Sequence, residues 1–168
     1  MNQEISAVES NKGGVESRKG YTLQDSTLIS DLILGLTNSK FCFAYTEHHQ
    51  DYLLIYEDRI DAVQVKKREP HLPKWSINKD FCQGIILPFY NASSKITTEK
   101  QKRFLFRTNG GFEGSTKKST SLFHLCKITE AGKENCNSED LKFVEDVTEK
   151  IAKFLEKDKT DSLLLEVI

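Results

Sequence analysis

DYLLIYEDRIDAVQVK, residues 51–66, contains two apolar runs with charged residues between them. Residues 53–56 form the first run and residues 60–65 the second, a pattern that predicts two β-strands joined by a short turn. Side chains alternate between the two faces of a strand. Gln64 and Lys66 therefore share one face, and the valines on either side of Gln64 share the other.

The length of the turn determines which residues of the two strands face each other. We predict a two-residue loop at Asp58-Arg59, which sets Asp51 opposite Lys66 and on the same face as Gln64. An acid, an amide and an amine then lie together, with directly opposed Cβ atoms about 5 Å apart. That spacing suits a metal ion and a phosphate oxygen. A three-residue loop would shift the register by one and turn Asp51 to the wrong face.

Asp51 followed by Gln64-Val65-Lys66 at a strand end resembles the acid and Gln/Glu-x-Lys pattern of restriction-endonuclease-like, or PD-(D/E)XK, nucleases. Upstream, Gly13-Gly14 and Gly20-Tyr21-Thr22-Leu23-Gln24 resemble the opening of one branch of this family. Members of that branch are double-stranded-DNA endonuclease domains attached to sensor modules in bacterial antiphage systems, including systems triggered by cyclic oligonucleotides.

The order of elements in that branch is a long helix, a strand ending in Glu, an Asp, a Gln-Val-Lys strand and a later strand ending in Thr-Asn. Glu47 and Thr108-Asn109 occupy the matching positions of this chain. The resemblance, which covers roughly residues 13–110, implies an α/β fold with a restriction-endonuclease-like core, in which helices flank a mixed central sheet. It also implies metal-dependent hydrolysis of phosphodiester bonds in double-stranded DNA.

The resemblance further implies a set of site residues and a cofactor, Mg²⁺ or Mn²⁺. The catalytic residues would be Asp51, Gln64 and Lys66; the metal ligands Asp51, Gln64 and Glu47; and the supporting or DNA-contacting residues Gln24, Lys67 and Arg68. Hard cations of this kind prefer oxygen ligands.

Each of the three catalytic residues has its own expected role. Asp51 is the anchoring carboxylate. Gln64 offers a neutral amide oxygen where Glu is more familiar, so we expect weaker metal affinity. Lys66 is expected to orient the attacking water, or to help deprotonate it, and to stabilise charge in the transition state.

Apolar periodicity predicts the remaining elements. In the first helix the stripe Tyr21, Leu28, Leu32 and Leu36, widened by Ile29 and Ile33, is predicted to face the core, with Gln24 on the same side. The predicted elements are a helix over 20–37, a strand over 41–46, a helix from Ser76 disturbed near its end by Pro88, strands over 103–108 and 121–128, and a helix over 138–156.

These elements suggest how the chain is organised. Residues 1–19 are expected to be a flexible lead-in, residues 20–156 a nuclease-like domain, and residues 157–168 the start of a further element. The apolar finish predicts that the chain is part of a longer protein, with a sensor domain fused beyond residue 168. The resemblance implies an antiphage effector that acts on DNA, and the domain is expected to form homo-oligomers in which two sites act on two strands.

Composition sets wider limits. The chain has 168 residues, of which 38% are hydrophobic and 29% charged, as in an ordinary globular domain. Its net charge of -1 means that DNA binding would depend on local clustering of basic residues. It has no apolar run near the ~20 residues of a membrane span and no signal peptide, so we expect a cytoplasmic protein without a membrane partner.

Two alternatives remain open beside the nuclease. One is a nuclease-like fold without catalysis that only binds nucleic acid or a partner, which the neutral Gln64 favours. The other is an interaction domain that uses its long helices to pair with itself or with a neighbouring chain.

Overall fold

Four strands form one sheet among the residues that the structure, a computed structural model, describes: 12–46, 51–114, 121–131 and 135–167, with side chains from Tyr21 onward except Glu166. The strands are β1 (Phe41–Thr46), β2 (Tyr52–Tyr56), β3 (Arg59–Lys66) and β4 (Gln101–Thr108), and they lie side by side in that order. β1, β2 and β3 are antiparallel neighbours, whereas β3 and β4 are parallel.

Helices cover both faces of this sheet, which confirms the predicted mixed sheet flanked by helices. They are α1 (Lys12–Leu36), α2 (Lys79–Phe81), α3 (Leu87–Lys95), α4 (Leu122–Ala131), α5 (Ser138–Leu155) and α6 (Ser162–Val167), with a π-helical segment (Cys82–Ile86) between α2 and α3. No helix in the described part of the chain combines the length and the apolar character needed to cross a membrane.

The sheet separates two hydrophobic clusters. The smaller cluster, which includes Tyr52, Leu54 and Val63, packs against Leu23 and Leu28 of α1. The larger cluster lies on the other face among the later helices. Its buried members include four residues that recur at four-residue steps, the spacing of a helix face: Ile77, Phe81, Ile85 and Phe89.

The parallel pairing of β3 with β4 requires a crossover, which α2, the π-helical segment and α3 provide. Gln64 lies beside Phe106 in this pairing. The Phe106 ring packs edge-on against Trp75 and Phe81, with centroids 5.3 and 5.7 Å away. The even-numbered side chains of β3 therefore face the larger cluster and its helices.

The turn between β2 and β3 lies one residue earlier than predicted. It consists of Glu57-Asp58 rather than Asp58-Arg59, because Ile55 pairs with Ile60. Side-chain contacts keep Arg59 in the strand. Its guanidinium carbon lies 3.7 Å from the centroid of the Tyr56 ring, and its Nε donates a hydrogen bond to Asp61 at 3.1 Å. The predicted loop length of two residues is correct, and its position is wrong.

α1 begins at Lys12, well before the predicted start at Gly20. Residues 12–19 are thus helical, and residues 1–11 of the expected flexible lead-in lie outside the described residues. This segment contains good helix formers such as Glu16 and Arg18 but no apolar stripe, so periodicity does not reveal it.

The buried face of α1 also differs from the predicted stripe. Tyr21, Ile29, Ile33 and Leu36 are exposed, with exposed fractions of 57–76%, whereas Asp31 and Gly35 are buried. A Cβ atom on Gly35 would lie 3.0 Å from the Phe41 ring, so the absence of a side chain permits this close approach. Leu28 of the predicted stripe packs against the smaller cluster. The buried Asp31 and the close approach at Gly35 determine the rest of the buried face.

Residues 122–128 of the predicted strand over 121–128 belong to helix α4, and Ser121 directly precedes the helix. Ser121 Oγ accepts a hydrogen bond from the His124 N–H at 3.2 Å and so caps the helix start. Leu122, Leu125 and Ile128 recur every third residue and are all buried. This spacing is that of a helix. The strand prediction was wrong because it rested on the apolar content of the segment and not on the spacing of its apolar residues.

The crossover helices begin later and continue further than predicted. The N-cap is Asn78 instead of Ser76, since Asn78 Oδ1 accepts from the Phe81 N–H at 2.9 Å. Pro88 lies in the first turn of α3, just after the π-helical segment, and α3 continues to Lys95. The irregularity next to Pro88 therefore falls in the middle of the helical stretch and not near its end.

A buried network joins α1 to the sheet. Asp31 is 6% exposed, and it accepts hydrogen bonds from the Tyr52 hydroxyl at 2.7 Å and from Arg107 Nη2 at 3.1 Å. Burial and the neighbouring Asp31 carboxylate raise the pKa of Tyr52 well above its usual range. The phenol therefore stays protonated and donates to Asp31 at all physiological pH values.

We expect Tyr52→Phe to lower the free energy of unfolding by about 1–3 kcal/mol, because it removes a donor from a buried carboxylate. Urea denaturation measures this. Tyr45→Phe is the matched control, since Tyr45 is 54% exposed and its hydroxyl can reach solvent. Equal stabilities of the two variants would contradict the assigned role of the network.

Candidate functional site

Asp51 lies just before β2, where the hairpin ladder ends. The pairing of β2 with β3 ends at Tyr52 and Val63. One further step of the same register aligns Asp51 with Gln64. The prediction that Asp51 lies opposite Lys66 is therefore wrong by two residues. Because the shift is even, the predicted sharing of one face is kept.

The Asp51 carboxylate is tied to β3. Its Oδ2 accepts a hydrogen bond from the Val65 backbone N–H at 2.5 Å. Val65 stands between Gln64 and Lys66, so the carboxylate lies against the backbone of the Gln-x-Lys motif. A backbone donor bonded to a carboxylate fixes the orientation of that carboxylate.

Gln64 is buried, with 6% of its surface exposed. Its Nε2 donates to the Gly84 backbone carbonyl at 3.4 Å, whereas Oε1 has no hydrogen-bond partner and is buried. Because only the NH₂ end can donate, the Gly84 carbonyl determines which end of the amide faces the helix. A buried acceptor without a donor costs about 1–3 kcal/mol, so this oxygen requires an explanation.

Lys66 ends β3, is partly buried and lies beside Thr108 in the parallel pairing. It follows Gln64 by two residues and therefore projects from the same face. Within the described ranges, no hydrogen bond or ion pair engages its ammonium group.

Gln24 supports the site from α1. Its Nε2 donates to the Asp51 backbone carbonyl at 3.3 Å. This contact links α1 to the residue that directly precedes β2.

Lys67 and Arg68, the predicted DNA contacts, are both engaged within the protein. Lys67 Nζ forms an ion pair with Glu69 at 2.6 Å. The Arg68 guanidinium stacks over Trp75, 4.1 Å from the ring centroid, and its Nε donates to the Pro73 carbonyl at 2.8 Å. Lys67 also lines an open cleft of about 380 Å³ between α1 and the sheet end, together with Thr22, Leu23, Ser26 and Asn109.

Asn109 anchors the segment that leaves β3, a role that the sequence did not reveal. Its Oδ1 accepts from the Arg68 N–H at 2.7 Å, and its Nδ2 donates to the Arg68 carbonyl at 3.2 Å. Thr108 adds a bond, since its Oγ1 accepts from Trp75 Nε1 at 2.9 Å. The Thr-Asn pair at the strand end was visible in the sequence, but its partner could be identified only from the parallel pairing.

The predicted metal ligands are represented in the described residues by Asp51 and Gln64, because Glu47 lies outside them. Among the described residues, no group of three or more His, Cys, Asp or Glu side chains is gathered as for a metal. The donor set nonetheless fits a hard cation. Asp51 supplies a carboxylate, and Gln64 supplies a buried amide oxygen that lacks a donor.

Comparison of the chain with protein-family models, with curated proteins and with solved structures found no match.

We expect Asn109→Ala to loosen the segment after Lys66, because the backbone N–H and carbonyl of Arg68 both lose a partner. Hydrogen exchange at the Arg68 amide should accelerate, and global stability should fall by about 0.5–1.5 kcal/mol. Asn91→Ala, on the exposed surface of α3, is the control. Unchanged exchange at Arg68 would refute the anchoring role.

Proposed function

We propose that this chain is a metal-dependent endonuclease domain of the restriction-endonuclease-like class, which hydrolyses phosphodiester bonds of double-stranded DNA. In the cell it would act as the effector of an antiphage defence protein. Asp51, Gln64 and Lys66 would be its catalytic residues, with Mg²⁺ or Mn²⁺ as the cofactor.

One observation carries the proposal. Gln64 Oε1 is a buried acceptor without a donor, and the Asp51 carboxylate lies against the backbone of the next residue, Val65. A cation held by both oxygens would remove the cost of burying an unpaired acceptor. If this face of β3 were solvated, the Gln64 oxygen would be exposed to water and not buried.

The order of elements supports the same class. A long helix leads into a meander of three antiparallel strands, and a helical crossover then returns to a fourth strand parallel to the third. Thr108 ends that fourth strand, and Asn109 follows it. This order supports the resemblance for the described elements, and Glu47 lies outside them.

The chemistry would divide among these side chains. A bound divalent ion supplies Lewis-acid polarisation of a phosphoryl oxygen. Asp51 and Gln64 would hold it through a carboxylate and an amide oxygen. As the water oxygen bonds to phosphorus and gives up a proton to solvent, the bond to the leaving oxygen breaks and that oxygen takes a proton from solvent. The Lys66 ammonium would stabilise the negative charge that accumulates on the phosphate.

DNA contacts would come from groups close to this site. Lys67 lines the cleft beside α1, where a backbone phosphate would compete with Glu69 for the ammonium group. Contacts to phosphates carry no sequence information, so cleavage of many sequences is expected.

Plasmid cleavage tests the proposal. With Mg²⁺ or Mn²⁺ the purified chain should cut supercoiled DNA, and EDTA should abolish cutting. Asp51→Asn keeps an oxygen that can accept from the Val65 N–H but removes the charge, so activity should fall by at least ~100-fold with the fold retained. Lys66→Ala should lower activity by about 10²–10⁴-fold.

Asp146→Asn and Lys142→Ala are the matched controls. They are the same two substitutions, and both residues lie on the exposed face of α5, away from the site. Cleavage in the presence of EDTA, or an equal loss of activity in the site variants and the control variants, would contradict the proposal. Salt-sensitive DNA binding without cleavage would instead favour the module that only binds nucleic acid.

A second candidate, an interaction domain, is favoured by the outer face of α1. Ile29, Ile33 and Leu36 are exposed there, and Phe43 and Tyr45 are exposed on β1. If association through α1 is the main function, Ile29→Ser with Ile33→Ser should convert an oligomer to a monomer in sedimentation, and DNA should bind to neither form.

A further inference from the structure

Pro88 lies shortly after the π-helical segment that joins α2 to α3. In an α-helix the Gly84 carbonyl would accept a hydrogen bond from the residue four positions later, which is Pro88. Proline has no backbone N–H, so this donor is missing. The segment Cys82–Ile86 is wound more widely, with the Leu87 N–H bonded to the Cys82 carbonyl. Such widened turns occur frequently at functional sites.

The Gly84 carbonyl receives a donor from the sheet instead. Gln64 Nε2 donates to it at 3.4 Å, from a side chain that is almost fully buried. The two ends of an amide are chemically different, and a carbonyl accepts only from the NH₂ end. This contact therefore leaves Oε1 as the end without a donor.

We infer that the Gly84 carbonyl, deprived of its helical donor by Pro88, positions Gln64 as a ligand and selects an amide over a carboxylate at this place. The inference rests on the proposed metal site. A glutamate at position 64 would bring a carboxylate oxygen against the Gly84 carbonyl oxygen, two acceptors with no proton between them. An amide avoids this repulsion and still offers one oxygen to the ion.

Pro88→Ala restores the backbone N–H that Pro88 lacks. The new backbone N–H can donate to the Gly84 carbonyl, which then competes with Gln64 Nε2 and releases the amide from its fixed orientation. In a chain that also carries Gln64→Glu, the same N–H removes the repulsion. The substitution therefore acts in opposite directions in the two backgrounds, an outcome that general loosening of the helix would not produce.

The test compares the Mn²⁺ affinity of four whole-chain proteins: wild type, Pro88→Ala, Gln64→Glu and the double variant. The electron paramagnetic resonance signal of free Mn²⁺ reports how much of the ion is bound. We expect Pro88→Ala to weaken Mn²⁺ affinity by about tenfold in the wild-type background. In the Gln64→Glu background it should strengthen the affinity. Equal changes in both backgrounds, or none in either, would overturn the inference.

Gln83→Ala is the matched control. Gln83 is exposed in the same π-helical segment, and the substitution leaves the Gly84 carbonyl and Pro88 unchanged. Mn²⁺ affinity should stay at the wild-type value. A loss equal to that of Pro88→Ala would assign the effect to helix structure in general and overturn the inference.

A second readout separates this inference from the proposed function. The side-chain NH₂ resonance of Gln64, identified by its loss in Gln64→Glu, should shift and exchange faster in Pro88→Ala without any metal present. If no variant binds Mn²⁺, the proposed metal site fails, and this resonance still tests the contact with Gly84. A resonance that Pro88→Ala leaves unchanged overturns the positioning role.

Discussion

The antiparallel register of β2 and β3, with Tyr52 opposite Val63, is the constraint on which the candidate site depends. It aligns Asp51 with Gln64 and lets the Asp51 carboxylate reach the Val65 N–H. A slip by one residue would send these side chains to opposite faces. The stacking of Arg59 on Tyr56 beside the turn fixes the register at the other end of the hairpin.

Elements distant in sequence then surround the end of this hairpin. The parallel pairing of β4 brings Asn109 to the backbone of Arg68, and α1 brings Gln24 to the backbone of Asp51. α1 is itself held by buried Asp31. A second buried carboxylate, Asp61, lies between Arg59 and Arg103; burial raises its pKa, and the two guanidinium groups oppose that rise. These polar contacts link α1 and β4 to the strands that carry the site.

Much of this arrangement could be predicted from residue patterns, because alternation and four-residue spacing report directly on burial. The hairpin, β4 and the buried stripe of the crossover followed from them. The position of the turn did not, since it depends on how Arg59 contacts its neighbours. The face of α1 was missed because a buried acid overrides an apolar stripe. The link from Pro88 through Gly84 to Gln64 joins residues far apart in sequence, and no local pattern indicates it.

The central claim is that Gln64 Oε1 and the Asp51 carboxylate hold one divalent cation. Anomalous diffraction from crystals grown with Mn²⁺ tests it most directly, because the signal locates the ion independently of activity. The account predicts one strong peak within about 2–2.6 Å of both oxygens. An ordered Mn²⁺ bound elsewhere, with Gln64 Oε1 bonded to a protein donor or to water, would contradict it.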